Sequence, residues 1–412
     1  MKSNKNNVNK GIVFTLLSLL LMSASSFAQN VHPGVYLTQA GLDKMKIICN
    51  NEPSHPMAEG YRIIKNDDVG KLSFNATPFK TVQAQSSGST NSEIKFREDA
   101  HAVYAHALQF VVTGNQAHAD KAIEIAMAWA NTFEEIVSIG YEDQKHLEAY
   151  WAVGVWVPGL DILRYYSNGA SGITSSQIAA IDGFLMKIYP YLHRNTGGGN
   201  NWASARCNAI VALGAYLGDE EMFQMGIDQY KDHILPGHVK ADGYIEETGR
   251  DCTHMQYNVI VLNTICEMAW NQGVDLYSIK LGGQSTPRLL LGLEFAAKVW
   301  NGTSSALDCS GFFRHGAGGW EMGYNHFKHR LKLSCPNLET YILTRNRPSD
   351  YRSERHFTGW ATATHGDLDK NATQPPVVNL TAPADNASFV ANASINLTAT
   401  ATVSSGAIQE VE

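Results

Sequence analysis

Along residues 99–133, DAHAVYAHALQFVVTGNQAHADKAIEIAMAWANTF, apolar residues return every three or four positions, with one interruption at Thr113-Gly114-Asn115. That spacing predicts two helices folded back on each other. The same form recurs at 144–166, at 175–191 into 203–217, at 220–234, at 252–271 and at 287–300, with Gly, Pro, Asn or Asp between helices. Helical pairs repeated this often, without a strict sequence period, predict an all-α architecture. We expect an α/α toroid, an incomplete barrel of helical hairpins, over residues 29–370.

Strand-like alternation is scarce until residue 374. There QPPVVNLTAPADNASFVANASINLTATATVSSG turns rich in Thr, Val, Ala, Ser and Asn behind a Pro-rich entry. This predicts the start of an immunoglobulin-like β-sandwich module over 374–412. Such domains need about 100 residues, so the segment reads as a partial one. Catalysis is expected not to need it.

The opening of the chain has a different pattern. MKSNKNNVNK is basic, GIVFTLLSLLLM is apolar but too short to span a bilayer, and Ser26-Phe27-Ala28 offers small residues at cleavage offsets. Residues 1–28 are therefore expected to be a signal peptide, which places the mature protein in a periplasm or outside the cell. No later apolar run is long enough for a membrane span. With 412 residues, 44% of them hydrophobic, the chain can bury a large core. Removing the leader removes Lys2, Lys5 and Lys10 and no acid, taking the formal charge from −7 to −10. That balance argues against nucleic acid as a partner, and an anionic polymer would need a locally basic cleft. The six cysteines (Cys49, Cys207, Cys252, Cys266, Cys309, Cys335) lack the short spacings of a zinc site and suit one or two disulfides of unreadable connectivity.

Three stretches carry candidate chemistry. In GGGNNWASARCNAIVALGAYLGD (197–219), a helix follows a Gly-rich turn, so one of Asn200 and Asn201 is expected to cap it. A second amide beside Trp202 suits a sugar acid: amides donate to a carboxylate and an indole stacks on a sugar ring. In DGYIEETGRDCTHMQY (242–257), a helix beginning near 250 would place Arg250, His254 and Tyr257 on one face at i, i+4 and i+7, behind the loop-like Glu246-Glu247-Thr248-Gly249. In GGWEMGYNHFKHR (318–330), Trp320, Glu321, Tyr324, Asn325, His326 and His329 crowd into ten positions, a set costly to bury and useful against a sugar. A His cluster also suits a metal, but no carboxylate or Cys lies at a ligand spacing, so neither metal nor cofactor is expected.

The runs NNW, EETGRDCTH, AWNQGVDLY and WEMGYNHF, in this order within a train of helical hairpins, resemble the alginate lyase superfamily of polysaccharide lyases, especially secreted enzymes of Bacteroidetes. The resemblance covers roughly residues 30–365. It implies an α/α toroid that cleaves a uronic-acid polysaccharide, alginate or glucuronan, by β-elimination. It further implies Asn201 as the amide that neutralises the uronate carboxylate, Arg250 and His254 in cationic and base roles, and Tyr324 or Tyr257 as the phenol. Asn200, Trp202, Glu247, Trp320, Asn325 and His326 would then contact substrate. Some alginate lyases carry Asn-Asn-His where this chain has Asn-Asn-Trp, which leaves His254 to supply the imidazole.

Two other functions fit the same residues. Helical toroids also host inverting glycoside hydrolases, which need two carboxylates about 6.5–9.5 Å apart, and Glu142, Asp143, Glu246, Glu247 and Glu321 are available. A non-catalytic glycan-binding protein would use Trp202 and Trp320 as platforms and form no product.

Overall fold

The computed structural model describes residues 31–194, 200–312, 318–350 and 355–371, and within the tail 377–383, 387–389 and 394–402. The expected leader at 1–28 and the turn Gly197-Gly198-Gly199 lie outside the described residues. The helices, in chain order, are α1 (Gln39–Asn51), α2 (Pro56–Asn66), α3 (Asn91–Thr113), α4 (Gln116–Thr132), α5 (Gln144–Tyr165), α6 (Ser175–Ile188) and α7 (Asn201–Leu217). After these come α8 (Glu220–Gln229), α9 (Leu235–His238), α10 (Cys252–Asn271), α11 (Arg288–Trp300), α12 (Gly319–Tyr324), α13 (Pro336–Tyr341) and α14 (Ala361–His365).

Most of these begin and end where local chemistry dictates. Thr90 and Glu93 form a capping box at the start of α3, and Thr174 with Gln177 does the same for α6. The α3–α4 turn is made by Gly114, left-handed at φ 68°, followed by Asn115, whose side chain accepts from the Ala117 amide.

Packing sorts the helices into two layers. The inner helices α3, α5, α7, α10 and α12 pack side by side in succession, while α4 lies outside α3, α8 outside α7 and α11 outside α10. From α12 the ring continues through α14 and α2, with α1 packed on α3. Burial follows the layers: every residue of α10 from Met255 to Ala269 is buried, whereas α8 buries only Met222, Phe223, Gly226 and Ile227. Close approach within the inner layer needs glycine at two contacts. A Cβ on Gly159 would meet the Tyr104 backbone at 2.9 Å, and one on Gly319 would meet the Ile260 backbone at 2.5 Å. This is the α/α toroid expected from the hydrophobic spacing. The helices at 39–66 and the short ones after 318 add to those that the spacing predicts.

Two strands sit at the rim. β1 (Thr81–Gln85) pairs in parallel with β2 (Glu135–Ile139), Thr81 opposite Glu135 and Gln85 opposite Ile139, and the pair packs on α3 and α5. In the tail, β3 (Val377–Ala382) and β4 (Thr398–Thr402) form an antiparallel pair. One disulfide, Cys252–Cys309, fixes the first turn of α10 to the segment after α11, and the other four cysteines are free thiols.

Candidate active site

Parallel neighbours in the inner layer bring the N-terminal ends of α3, α5, α7 and α10 to one face of the ring. A cleft of about 570 Å³ opens there. Its walls are Glu93 of α3, Gln144, Leu147 and Trp151 of α5, Asn201 and Trp202 of α7, His254 and Tyr257 of α10, with Arg250, Tyr141, His356 and the segment after β1 at the rim. Helix N-termini carry partial positive charge, so an anionic substrate group is favoured at this end of the ring.

The two asparagines divide their work. Asn200 is the N-cap of α7, its Oδ1 accepting from the Ala203 amide at 3.0 Å, so that oxygen serves the helix, and Asn200 is not among the residues lining this cleft. Asn201 is held by its backbone: its N–H donates to Glu247 Oε1 at 2.8 Å. Glu247 is buried, and this bond makes it a support for Asn201, not the sugar contact expected of it. The Asn201 Oδ1 is buried with no hydrogen-bond partner among the described residues. A buried carbonyl oxygen left in that state calls for an external donor, such as a sugar hydroxyl, while the donors that a carboxylate would meet are the N–H groups of Nδ2.

The helix of the 250–257 stretch begins at Cys252, two residues later than its spacing suggested. Asp251 is the N-cap of α10, its Oδ1 accepting from the His254 amide, and Arg250 lies just before the helix. The Arg250 side chain is exposed and makes no ion pair within 4 Å among the described residues. His254 Nδ1 lies 2.8 Å from both carboxylate oxygens of Asp251, which assigns the proton to Nδ1 and leaves the Nε2 lone pair for chemistry. Burial works against ionising Asp251, yet the hydrogen bonds from His254 and the charge of Arg250 hold its carboxyl below the ordinary value. Tyr257 Oη is 3.3 Å from His356 Nδ1, and the His356 ring lies 4.1 Å from that of Trp151.

His356, Trp151 and Gln144 carry no sign of this role in the sequence. Each stands without a motif, and only the fold brings it to the cleft. Among the described residues lining the cleft, the one carboxylate is Glu93. Its oxygens accept from the Gln85 amide at 3.1 Å and the Thr90 amide at 2.7 Å.

The 318–330 motif does not reach this cleft. Trp320 is fully buried against Tyr341, with ring centroids 4.5 Å apart. Tyr324 donates to Glu339 Oε1 at 3.3 Å; burial, then the neighbouring Glu339 and Asp367, push its phenol well above the ordinary value, the opposite of what a catalytic phenolate needs. Asn325 exchanges hydrogen bonds with Asp369 through Nδ2 at 2.8 Å and Oδ1 at 2.9 Å. His326 stacks on Tyr277 at 3.8 Å, and burial together with Arg330 pushes it down to about 3. Arg330 is bound by both oxygens of Glu267, at 2.8 and 3.0 Å, and by Asp369 at 2.7 Å. Arg347 is held by Glu321 at 2.8 and 3.0 Å and by Asp367 at 2.7 Å. Trp320, Tyr324, Asn325 and His326 thus build the scaffold, contrary to the sequence expectation. A second cavity, about 280 Å³, lies at the far end of α10 beside Glu267, Trp270 and Asn271, where Arg330, Glu267 and Asp369 neutralise one another.

A family model described as "Alginate lyase" matches residues 79–297, and one described as "Bacterial Ig domain" matches 376–412. No curated protein sequence matches the chain. Among solved structures, alginate lyase A1-III of Sphingomonas species A1 superposes with a TM-score of 0.62 at 15% identity, over 82% of this chain and 98% of that one. A variant of that enzyme complexed with a tetrasaccharide gives a TM-score of 0.55 at 17% identity, over 77% and 98%. An alginate lyase from Bacteroides ovatus gives 0.52 at 12% identity, over 65% and 84%. At these identities the likeness is one of fold.

Proposed function

This chain belongs to the alginate lyase family and is a polysaccharide lyase, and from that premise we propose that the cleft at the N-termini of α7 and α10 cleaves a polyuronate, alginate first, by β-elimination. The supporting observation is the composition of the cleft. It gathers Asn201, Arg250, His254, Tyr257 and His356, while its one carboxylate among the described residues is tied to two backbone amides. An inverting hydrolase needs two working carboxylates. Here Asp143 pairs with Arg194, Glu246 with Lys240 and Glu321 with Arg347, and Glu247 holds the Asn201 amide.

Elimination takes the proton on C5, beside the carboxylate, while the C4 glycosidic oxygen leaves. The ionised carboxylate resists, because the intermediate would carry two negative charges. Asn201 and Arg250 donate to that carboxylate and let its charge be shared; one preorganised donor of this kind is worth about 10²–10³ in rate. His254 takes the C5 proton on Nε2, with Asp251 steadying the imidazolium that forms. The electron pair becomes the C4–C5 double bond, and Tyr257 gives its proton to O4 of the departing chain. His254 then releases its proton to solvent and Tyr257 regains one, beside His356. The phenol role thereby passes to Tyr257, the alternative to Tyr324. The disulfide at Cys252–Cys309 fits a periplasmic or secreted location, which we also propose.

The test is incubation of the purified protein with polymannuronate, polyguluronate and glucuronan, following ultraviolet absorbance of the new double bond. Alginate blocks are expected to give unsaturated oligosaccharides. Saturated reducing sugars as the sole product would overturn elimination, and absorbance with glucuronan alone would overturn the choice of alginate.

A further inference from the structure

Beside the main cleft lies a smaller cavity of about 180 Å³, lined by Tyr141, Arg194, Asn200 and Trp202. Tyr141 and Trp202 line both spaces, so the two are adjacent. Two contacts hold the side chain of Arg194 in the wall of the smaller one, and a third holds its backbone. Arg194 Nη2 is 2.5 Å from Asp143 Oδ2, its guanidinium carbon lies 5.8 Å from the centroid of the Trp202 ring, and its carbonyl accepts from Tyr150 Oη at 3.4 Å. Asp143 stands at the N-cap position of α5 yet caps nothing with its side chain, so its carboxylate serves Arg194 instead. Tyr141 meets Trp202 edge-on at 5.9 Å and closes the wall.

Held this firmly, Arg194 still leaves Nη1 buried with no hydrogen-bond partner among the described residues. A guanidinium N–H in that condition is costly unless a ligand oxygen meets it, and carboxylates suit its geometry best. We infer that Arg194, bedded on Trp202 and Asp143, is a second carboxylate anchor, taking the uronate that neighbours the one being cleaved. This rests on the lyase reading of the main cleft. It gives Trp202 a function: the indole supports a cation. It also favours polymers with consecutive uronates, since a neutral sugar at that place offers hydroxyl oxygens but no charge to meet the guanidinium.

The test compares the wild type with Arg194→Gln on homopolymeric uronate and on oligouronates of increasing length. In the wild type KM is expected to drop at the length that first reaches Arg194. In Arg194→Gln that step disappears and KM on polymer rises about tenfold, with kcat within about twofold, the pattern of lost uniform binding. Because the single variant leaves Asp143 unpaired, Arg194→Gln/Asp143→Asn is made as well and decides the matter if the single variant does not fold. Cleavage with KM and its length dependence unchanged would overturn the second anchor alone. No unsaturated product from the wild type on any polyuronate would overturn the lyase reading, and this inference with it.

Discussion

The cleft residues at 200–257 and the segment 319–330 use the same side chains, Asn, His, Tyr, Trp, Arg and Glu, and use them in opposite ways. In 319–330 the charged groups, the amide and the phenol find partners far along the chain: Asn325 and Arg330 in Asp369, Arg330 again in Glu267, Tyr324 in Glu339, Glu321 in Arg347; Trp320 Nε1 and His326 Nε2 are buried without a partner among the described residues. At the cleft the local backbone is satisfied by caps, Asn200 for α7 and Asp251 for α10, while the buried Oδ1 of Asn201 meets no donor among the described residues. The first arrangement rigidifies a buried scaffold; the second holds polar groups ready for something else. A dense cluster of polar and aromatic residues therefore marks a demanding environment, and the supply of internal partners decides which kind.

The largest expected contrast is between two tyrosines. Tyr257→Phe removes the proposed proton donor, so kcat should fall by about 10²–10⁴. Tyr324→Phe removes one hydrogen bond to Glu339 and should leave kcat near the wild type, with stability changed by about 1 kcal/mol. Steady-state kinetics and thermal melts on both variants measure this. An inactive Tyr324→Phe beside an active Tyr257→Phe would break the comparison outright.

Next in size is the amide. Asn201→Ala should lower kcat by about 10²–10³ and leave the shape of the pH–rate profile nearly unchanged, because an amide does not titrate. His254→Ala should instead remove or displace a limb of that profile. If the two variants gave the same profile, the division between carboxylate neutralisation and proton transfer would be wrong.

The scaffold segment should answer in stability. Burial alone would raise the carboxyls of Glu267, Asp367 and Asp369, but Arg330 at Glu267 and Asp369, and His329 with Arg347 at Asp367, hold all three below their ordinary values. Folded-state values below the unfolded ones mean stabilisation that is complete above about pH 4 and is lost as pH falls toward the folded values. Wild-type Tm should therefore drop on acidification below about pH 4. Arg330→Gln should cost about 3–5 kcal/mol at neutral pH, by leaving Glu267 buried and unpaired, and should flatten the acid dependence. An unchanged Tm in Arg330→Gln would mean that the network contributes nothing.

Much of this is legible from local pattern. The helices at 252–271 and 287–300 follow from apolar spacing, a cap at Asn200 or Asn201 and the grouping of Arg250, His254 and Tyr257 follow from residues close in sequence, and the joining of Asn201 to that group is what the family resemblance implies. What is not legible depends on distant partners. His356, Trp151 and Arg194 are lone residues until the ring closes around them. The 319–330 run misleads for the same reason: Arg330 finds its carboxylate in Glu267, 63 positions earlier and on α10, and nothing inside the run announces that partner.

The smallest expected effect concerns Glu247, and it separates support from chemistry within the cleft itself. Its Oε1 accepts the Asn201 amide at 2.8 Å, at the start of α7, where a negative charge also favours the helix dipole. Glu247→Gln keeps an acceptor oxygen at that place and loses only the charge, replacing a charge-assisted bond by a neutral one. Hydrogen bonds to charged groups contribute about 1.5–3 kcal/mol and neutral ones about 0.5–1.5, so the change should be about 1 kcal/mol. If that whole difference is felt by Asn201 in the transition state, kcat falls by about fivefold, and the limbs of the pH profile set by His254 and Tyr257 stay in place. Glu247→Ala, which leaves the Asn201 amide without an acceptor, should fall further along the same path toward Asn201→Ala. A Glu247→Gln as dead as Tyr257→Phe, with saturated reducing ends in the residual product, would make this carboxylate a reacting group and return the cleft to hydrolysis.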